Sequence, residues 1–134
     1  MSKKPFVHLH LHTSYSLLDG ACRIEQVMDV AAENNMPAVA LTDHGSMYGA
    51  IEFYKAARAR GVKPIIGCET YVATGSRFDR KSDDNRSPSH HLVLLATDFA
   101  GYQNLIQLVT AAHLEGFYYK PRIDKDILAK YSKG

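Results

Sequence analysis

Cysteine is scarce: the 134 residues hold two, Cys22 and Cys68, far apart and neither in a Cys-x-x-Cys pair. That excludes a disulfide framework and a cysteine-built zinc site, and leads us to expect a reducing compartment. Long apolar runs are missing too. After Met1-Ser2-Lys3-Lys4-Pro5 no stretch reaches the length of a signal-peptide core or a membrane span, so a cytoplasmic chain with no membrane partner is expected. There is no surplus of one charge: Lys and Arg number 16 against 14 Asp and Glu, a net +2, which gives no counterion-release argument for nucleic acid. Both glycine-rich phosphate loops, Gly-x-Gly-x-x-Gly and Gly-x-x-x-x-Gly-Lys-Ser/Thr, are absent. What remains, 46% hydrophobic and 22% charged, is the profile of a globular protein. The length suits one domain that buries roughly two thirds of its unfolded surface.

Against these absences stands a concentration of histidine. His8, His10 and His12 alternate with Val7, Leu9 and Leu11, and the side-chain period of two along a strand predicts three imidazoles on one side and the aliphatic residues on the other. Residues 6–11 read as a first strand. Residues 23–35 read as a helix through Ile24, Val27, Met28 and Ala31, stopped by Pro37. Residues 38–41 are a second strand, 48–60 a helix ended by Gly61, 62–71 a third strand, 92–96 a fourth, and 101–114 a third helix, followed by a short helical end. Residues 74–90 mix Arg77, Arg80, Lys81 and Arg86 with Asp79, Asp83 and Asp84. They predict a solvated loop whose charges cancel and make no nucleic-acid patch. The alternation of strand and helix predicts an α/β protein of parallel strands with right-handed crossovers, whose chemistry gathers beyond the strands' C-terminal ends. His12, Asp43, His44 and Glu69 fall there. His91 is the exception, because it starts its strand.

Neutral imidazole and carboxylate together suit divalent metals of the zinc or manganese type, and bridging carboxylates offset repulsion between neighbouring cations. Imidazoles two apart on a strand stand roughly 7 Å apart at Cα, close enough to share an ion or serve adjacent ones. Such metals lower the pKa of bound water to about 7 and clamp a phosphoryl oxygen, which points to hydrolysis of phosphate esters. Each residue also has a duller reading. His8, deepest toward the strand start, reads as a core or rim residue, whereas His10 and His12 read as ligands. Asp19 is a ligand or the turn residue before Gly20, and Glu69 a ligand or a solvated carboxylate. Asp43 orients the His44 imidazole or starts a turn. One of His90 and His91 faces the site, because adjacent strand residues point oppositely. His113 belongs to the surface or core, and Cys68 reads first as a buried apolar side chain and otherwise as a soft metal contact. The run Phe117-Tyr118-Tyr119-Lys120-Pro121-Arg122 reads first as a packed Phe117 with solvated Lys120 and Arg122, and otherwise as a surface for stacking bases and gripping phosphates.

The segments His10-Leu11-His12-Thr13, Tyr15 through Gly20, Leu41-Thr42-Asp43-His44-Gly45 and Lys63 through Glu69 resemble the opening motifs of the PHP (polymerase and histidinol phosphatase) family. Gly101-Tyr102-Gln103-Asn104-Leu105 and Glu115 through Asp124 narrow the resemblance to the N-terminal PHP domain of the alpha subunits of bacterial replicative DNA polymerases, the C family. The resemblance implies a distorted, TIM-like β/α barrel with a metal cluster of His10, His12, Asp19, His44, Glu69 and His91, and a catalytic role for His12, His44 and Asp43. It also implies a barrel that continues through further strands, so residues 1–134 are expected to be its N-terminal part. The implied partners are the rest of the polymerase alpha chain, replisome subunits including a proofreading exonuclease, and DNA through the whole polymerase, which itself would use magnesium. Three functions compete: a polymerase segment with phosphoesterase or 3′–5′ proofreading chemistry, a stand-alone phosphatase of the histidinol-phosphatase kind, and a scaffold that uses metal for folding energy alone.

Overall fold

The computed structural model describes residues 5–80 and 89–134; Lys81, Asp83, Asp84 and Arg86 of the charged loop lie outside the described residues. In chain order come α1 (Ile24–Glu33), β1 (Ala38–Leu41), α2 (Ala50–Ala59), β2 (Lys63–Ala73), β3 (Ser89–Leu95), α3 (Phe99–Leu114), β4 (Arg122–Ile123) and α4 (Lys125–Lys130). Each helix has a local cause. Ile24, Met28 and Ala31 form the buried stripe of α1, and Asn35, which tolerates the left-handed region at φ 54°, ends it before Pro37. Gly61 ends α2 in the same region at φ 72°. Asp98 caps α3 by accepting from the Gly101 amide at 2.8 Å, which starts that helix two residues earlier than its apolar period indicates. Both helices α1 and α2 turn their stripes toward β1 and share a core of Ile24, Met28, Val39, Leu41, Phe53 and Val62. A second core joins Leu108 and Ala112 of α3 to Ile123 and Ile127.

The sheet departs from the expected parallel pattern. β1 does run parallel to the first part of β2, from Ala38 opposite Lys63 to Leu41 opposite Ile66. The rest of β2 pairs antiparallel with β3, from Gly67 opposite Leu95 to Ala73 opposite Ser89, and β4 adds a short parallel pairing at Tyr71 and Val72. The fold is therefore mixed α/β. Among the described residues the sheet is open, in the order β1–β2–β3 with β4 on β2, and no closed barrel is formed. A second correction concerns residues 6–11, which make no regular strand. They touch β1 through one parallel bridge, His8 with Val39, and through the Ala40 amide donating to the His8 carbonyl at 2.8 Å. A bend at Leu9 and His10 then breaks the alternation. His8 consequently lines the hollow beside α1 with Leu11 and Val27, while His10 and His12 turn the other way.

Candidate metal centre

The antiparallel course of β3 resolves the anomaly of His91. Because β3 runs back along β2, its first residues lie beside the C-terminal half of β2, with His91 opposite Tyr71. Glu69 and Tyr71 share one face of β2 by the period of two, so His91 reaches Glu69 diagonally across the pair. On the other edge of β2 the β1 pairing resumes past Leu41: the Glu69 amide donates to the Asp43 carbonyl at 3.0 Å and the Gly45 amide to the Glu69 carbonyl at 2.9 Å. This ladder sets His44 beside Glu69. The segment of His10 and His12 is held to the same end by the Thr42 amide, which donates to the Leu11 carbonyl at 3.0 Å.

Four segments thus deliver donor atoms to one recess. Glu69 Oε2 lies 2.7 Å from His10 Nε2 and 2.5 Å from His12 Nε2, and Glu69 Oε1 lies 2.5 Å from His91 Nδ1. Asp19 Oδ2 lies 3.1 Å from His12 Nδ1 and 3.0 Å from His44 Nε2. His44 Nδ1 stands 3.6 Å from Glu69 Oε2 and is buried with no hydrogen-bond partner among the described residues. The donors fall into three groups, His10 with His12 and Glu69, His12 with Asp19 and His44, and His44 with Glu69 and His91. His12, His44 and Glu69 each belong to two. Burial would raise the Glu69 carboxyl, but hydrogen bonds from His10, His12 and His91 and the nearby His44 bring it down to about 2. Asp19 is lowered by its hydrogen bond to His44, against a smaller opposing effect of burial. Two carboxylates held ionised among four imidazoles, with His10 and His12 Nε2 only 3.2 Å apart and one buried imidazole nitrogen unpartnered, suit divalent cations.

Every residue expected as a ligand is in this recess. Asp43 is not: its carboxylate does not meet the His44 imidazole, which corrects the orienting role expected for it. It is fully buried and accepts from the Thr13 amide at 2.6 Å, the Thr13 hydroxyl at 2.7 Å and the Ser16 hydroxyl at 2.7 Å. Ser16 Oγ in turn accepts from the His44 amide at 3.1 Å. Asp43 therefore fastens the turn that carries Asp19 to the strand end that carries His44. Tyr71, which the sequence reading passed over, walls the recess. Its ring stacks on His44 at 5.8 Å and meets His91 edge-on at 4.9 Å; its position two residues after Glu69 was the available signal. His90 is exposed, Cys68 is buried, and His113 Nε2 lies 2.9 Å from the Gly45 carbonyl.

A model of the PHP domain matches residues 8–134. The chain belongs to the PHP domain family. This PHP chain is 55% identical over 129 residues to the DNA polymerase III subunit alpha of Borreliella burgdorferi, a match that covers 96% of this chain and 11% of that protein. To the corresponding subunit of Aquifex aeolicus it is 54% identical over 136 residues, covering 98% of this chain and 12% of the relative. The PHP chain thus spans about a tenth of the length of these curated relatives. Among solved structures it resembles an amidohydrolase from Chromobacterium violaceum, solved with bound sulfate and no metal, at a TM-score of 0.56 and 29% identity, over 79% of this chain and 32% of that one.

Proposed function

We propose that this PHP segment holds divalent cations, zinc or manganese by its donor set, on His10, His12, Asp19, His44, Glu69 and His91, and that the site hydrolyses phosphate esters. The observation that carries this reading is the sharing of His12, His44 and Glu69 among three donor groups, a donor set that could serve more than one cation. Cations held there would supply charge to offset a phosphoryl anion and a bound nucleophile at neutral pH. The chain's own residues do the rest. His12 and His44 present both ring nitrogens to carboxylates, Asp43 is a positioning residue that fastens their two segments, Tyr71 closes one wall against water, and half-exposed His10 marks the mouth. Identity to polymerase III alpha subunits supports a place for the PHP segment at the N-terminal end of a longer replicative polymerase in the cytoplasm, as part of a β/α barrel completed by later strands. Its partners there would be the rest of the alpha chain, replisome subunits including a proofreading exonuclease, and DNA, with magnesium serving polymerisation elsewhere in the chain.

The test joins metal analysis to a hydrolysis assay. Protein reconstituted with zinc or manganese should cleave bis(4-nitrophenyl) phosphate, and His44→Ala or His12→Ala should lose both bound metal and at least about 100-fold in rate. Bound metal without any hydrolysis would leave a scaffold and refute the catalytic reading. A rate unaffected by either substitution would place the activity in another protein.

A further inference from the structure

His113 lies outside the donor cluster, in the last turn of α3, yet its ring reaches the loop that carries His44. Its Nε2 stands 2.9 Å from the Gly45 carbonyl, and because a carbonyl only accepts, that nitrogen carries the hydrogen. Gly45 sits in the left-handed region at φ 57°. A Cβ added to it would come within 2.8 Å of Pro121 Cγ and 3.1 Å of Tyr71 Cε2, so no side chain fits between the wall of the recess and the stretch beyond α3. The Gly45 amide donates to the Glu69 carbonyl at 2.9 Å, and the His44 amide donates to Ser16 Oγ at 3.1 Å. The backbone around His44 therefore has three polar anchors: Ser16 on the N-terminal segment, Glu69 on β2 and His113 on α3.

The third anchor comes from a part of the chain that supplies none of the six donors. The stretch beyond α3 does not fold as its composition leads one to expect: Phe117 is exposed and Arg122 is buried. The Arg122 guanidinium donates to the carbonyls of Gly116 and Arg77 at 3.1 Å each and of Asp79 at 2.7 Å, which fixes the backbone next to Pro121. Leu108 and Ala112 of α3 and Ile123 share the second core, so His113 and Pro121 rise from one packed unit and meet Gly45 together. A metal site tolerates little error in its ligands, and a misplacement of about 0.5 Å is enough to spoil the geometry. His44 is exacting in this respect: Nε2 faces Asp19 at 3.0 Å, Nδ1 faces Glu69 at 3.6 Å, and the ring belongs to two donor groups. We propose that His113 is a positioning residue for the metal centre, whose hydrogen bond to the Gly45 carbonyl sets the backbone from which both nitrogens of His44 reach toward their carboxylates. This inference rests on the metal-holding reading of the recess.

Two substitutions in the full polypeptide separate a hydrogen-bond donor from a ring that merely packs, as His113 does near Phe117 with ring centres 6.3 Å apart. His113→Phe keeps the ring and removes the N–H; His113→Gln places an amide N–H where Nε2 stood. Zinc affinity by chelator competition, the visible absorption of the cobalt(II)-loaded protein, and amide hydrogen exchange of the metal-free protein read the effect. His113→Phe should bind zinc about tenfold more weakly, as the loss of a bond behind a ligand does, and should shift the cobalt bands. Its amide exchange at His44 and Gly45 should quicken about tenfold while α1 and β1 stay protected. His113→Gln should return all three readings to within about twofold of the parent. Parental affinity and cobalt bands in His113→Phe, or losses that His113→Gln does not recover, would overturn the proposal and leave the metal reading standing. A parent that binds neither zinc nor cobalt would refute the metal reading instead. Exchange at His44 and Gly45 then decides the positioning role alone: quickening in His113→Phe with recovery in His113→Gln keeps it, and unchanged exchange removes it.

Discussion

Asp43 shows how a residue outside the donor cluster controls its shape. Its fully buried carboxylate answers three donors at 2.6–2.7 Å, all from the turn around Thr13 and Ser16, and a hydrogen bond to a charged acceptor contributes about 1.5–3 kcal/mol. Asp43→Ala leaves those donors unpaired and should cost about 4 kcal/mol. Asp43→Asn keeps the shape and part of the bonding and should cost about half as much. Urea denaturation with zinc competition by a chromophoric chelator measures both effects, and metal affinity should fall in step with stability because Ser16 links Asp43 to the His44 amide. An alanine variant as stable as the parent would refute the fastening role. At this scale the sequence was most legible for His12, His44 and Glu69, whose places at strand ends already implied convergence, and for His10, which shares a segment with His12; His91, at the start of its strand, was the exception that only the direction of β3 explains. It was least legible for Asp43, because a buried Asp beside a histidine reads the same whether it faces the imidazole or turns its back on it.

Elements carried a different mixture of success and failure. The helices and the β1–β2 pair followed from apolar period and from stop residues such as Gly61 and Pro37. The direction of β3 did not, although the signal was present: residues 74–88 are polar and show no helical period, and a parallel crossover needs a dozen or more residues that usually include a helix. A connection without one favours an antiparallel return. The polar ends of β3, Ser89 and His90, were absorbed into the loop for the same reason that they matter: an exposed strand end has no apolar pattern to betray it. α4 shows how a short element is held instead by polar anchors. Asp124 caps it by accepting from the Ile127 amide at 3.1 Å and pairs with Arg77 at 3.1 Å. Burial would raise the Asp124 carboxyl, but the Arg77 and Ile127 amides and the Arg77 guanidinium lower it below its ordinary 3.8. A carboxyl lowered on folding stabilises the fold above its unfolded value, and that contribution disappears as pH falls through the folded one. Asp124→Asn retains a good cap and removes the charge, so it should cost about 1.5 kcal/mol at pH 7. Denaturation curves taken at decreasing pH should show the gap from the parent closing below pH 3.8; a gap that stays constant would mean that the charge contributes nothing.

For the molecule as a whole, the donors come from stretches spread between His10 and His91, so occupation of the site ties the N-terminal segment, the β1 end, β2 and β3 into one unit. The tie matters because the N-terminal segment is held by polar anchors and not by a core: one bridge to β1 and the Thr42 and Asp43 hydrogen bonds, with Phe6 and Leu9 left more than half exposed. A ligand that binds only the folded state stabilises it by RT ln(1 + [L]/Kd), about 2.7 kcal/mol at a hundredfold excess over Kd. For a chain of this size 1 kcal/mol corresponds to about 4 °C in Tm. Removal of metal by a chelator should therefore lower Tm by about 10 °C, and added zinc or manganese should restore it. Hydrogen exchange should place the loss of protection in residues 8–20 and at the start of β3, and leave the core of α1, α2 and β1 largely protected, because Phe53, Met28 and Leu41 pack there without help from the donors. His44→Ala, which removes a member of two donor groups, should be indifferent to the chelator. If the parent melts at the same temperature with and without metal, the six donors are hydrogen-bonding partners of one another and not a site whose occupation holds the fold together.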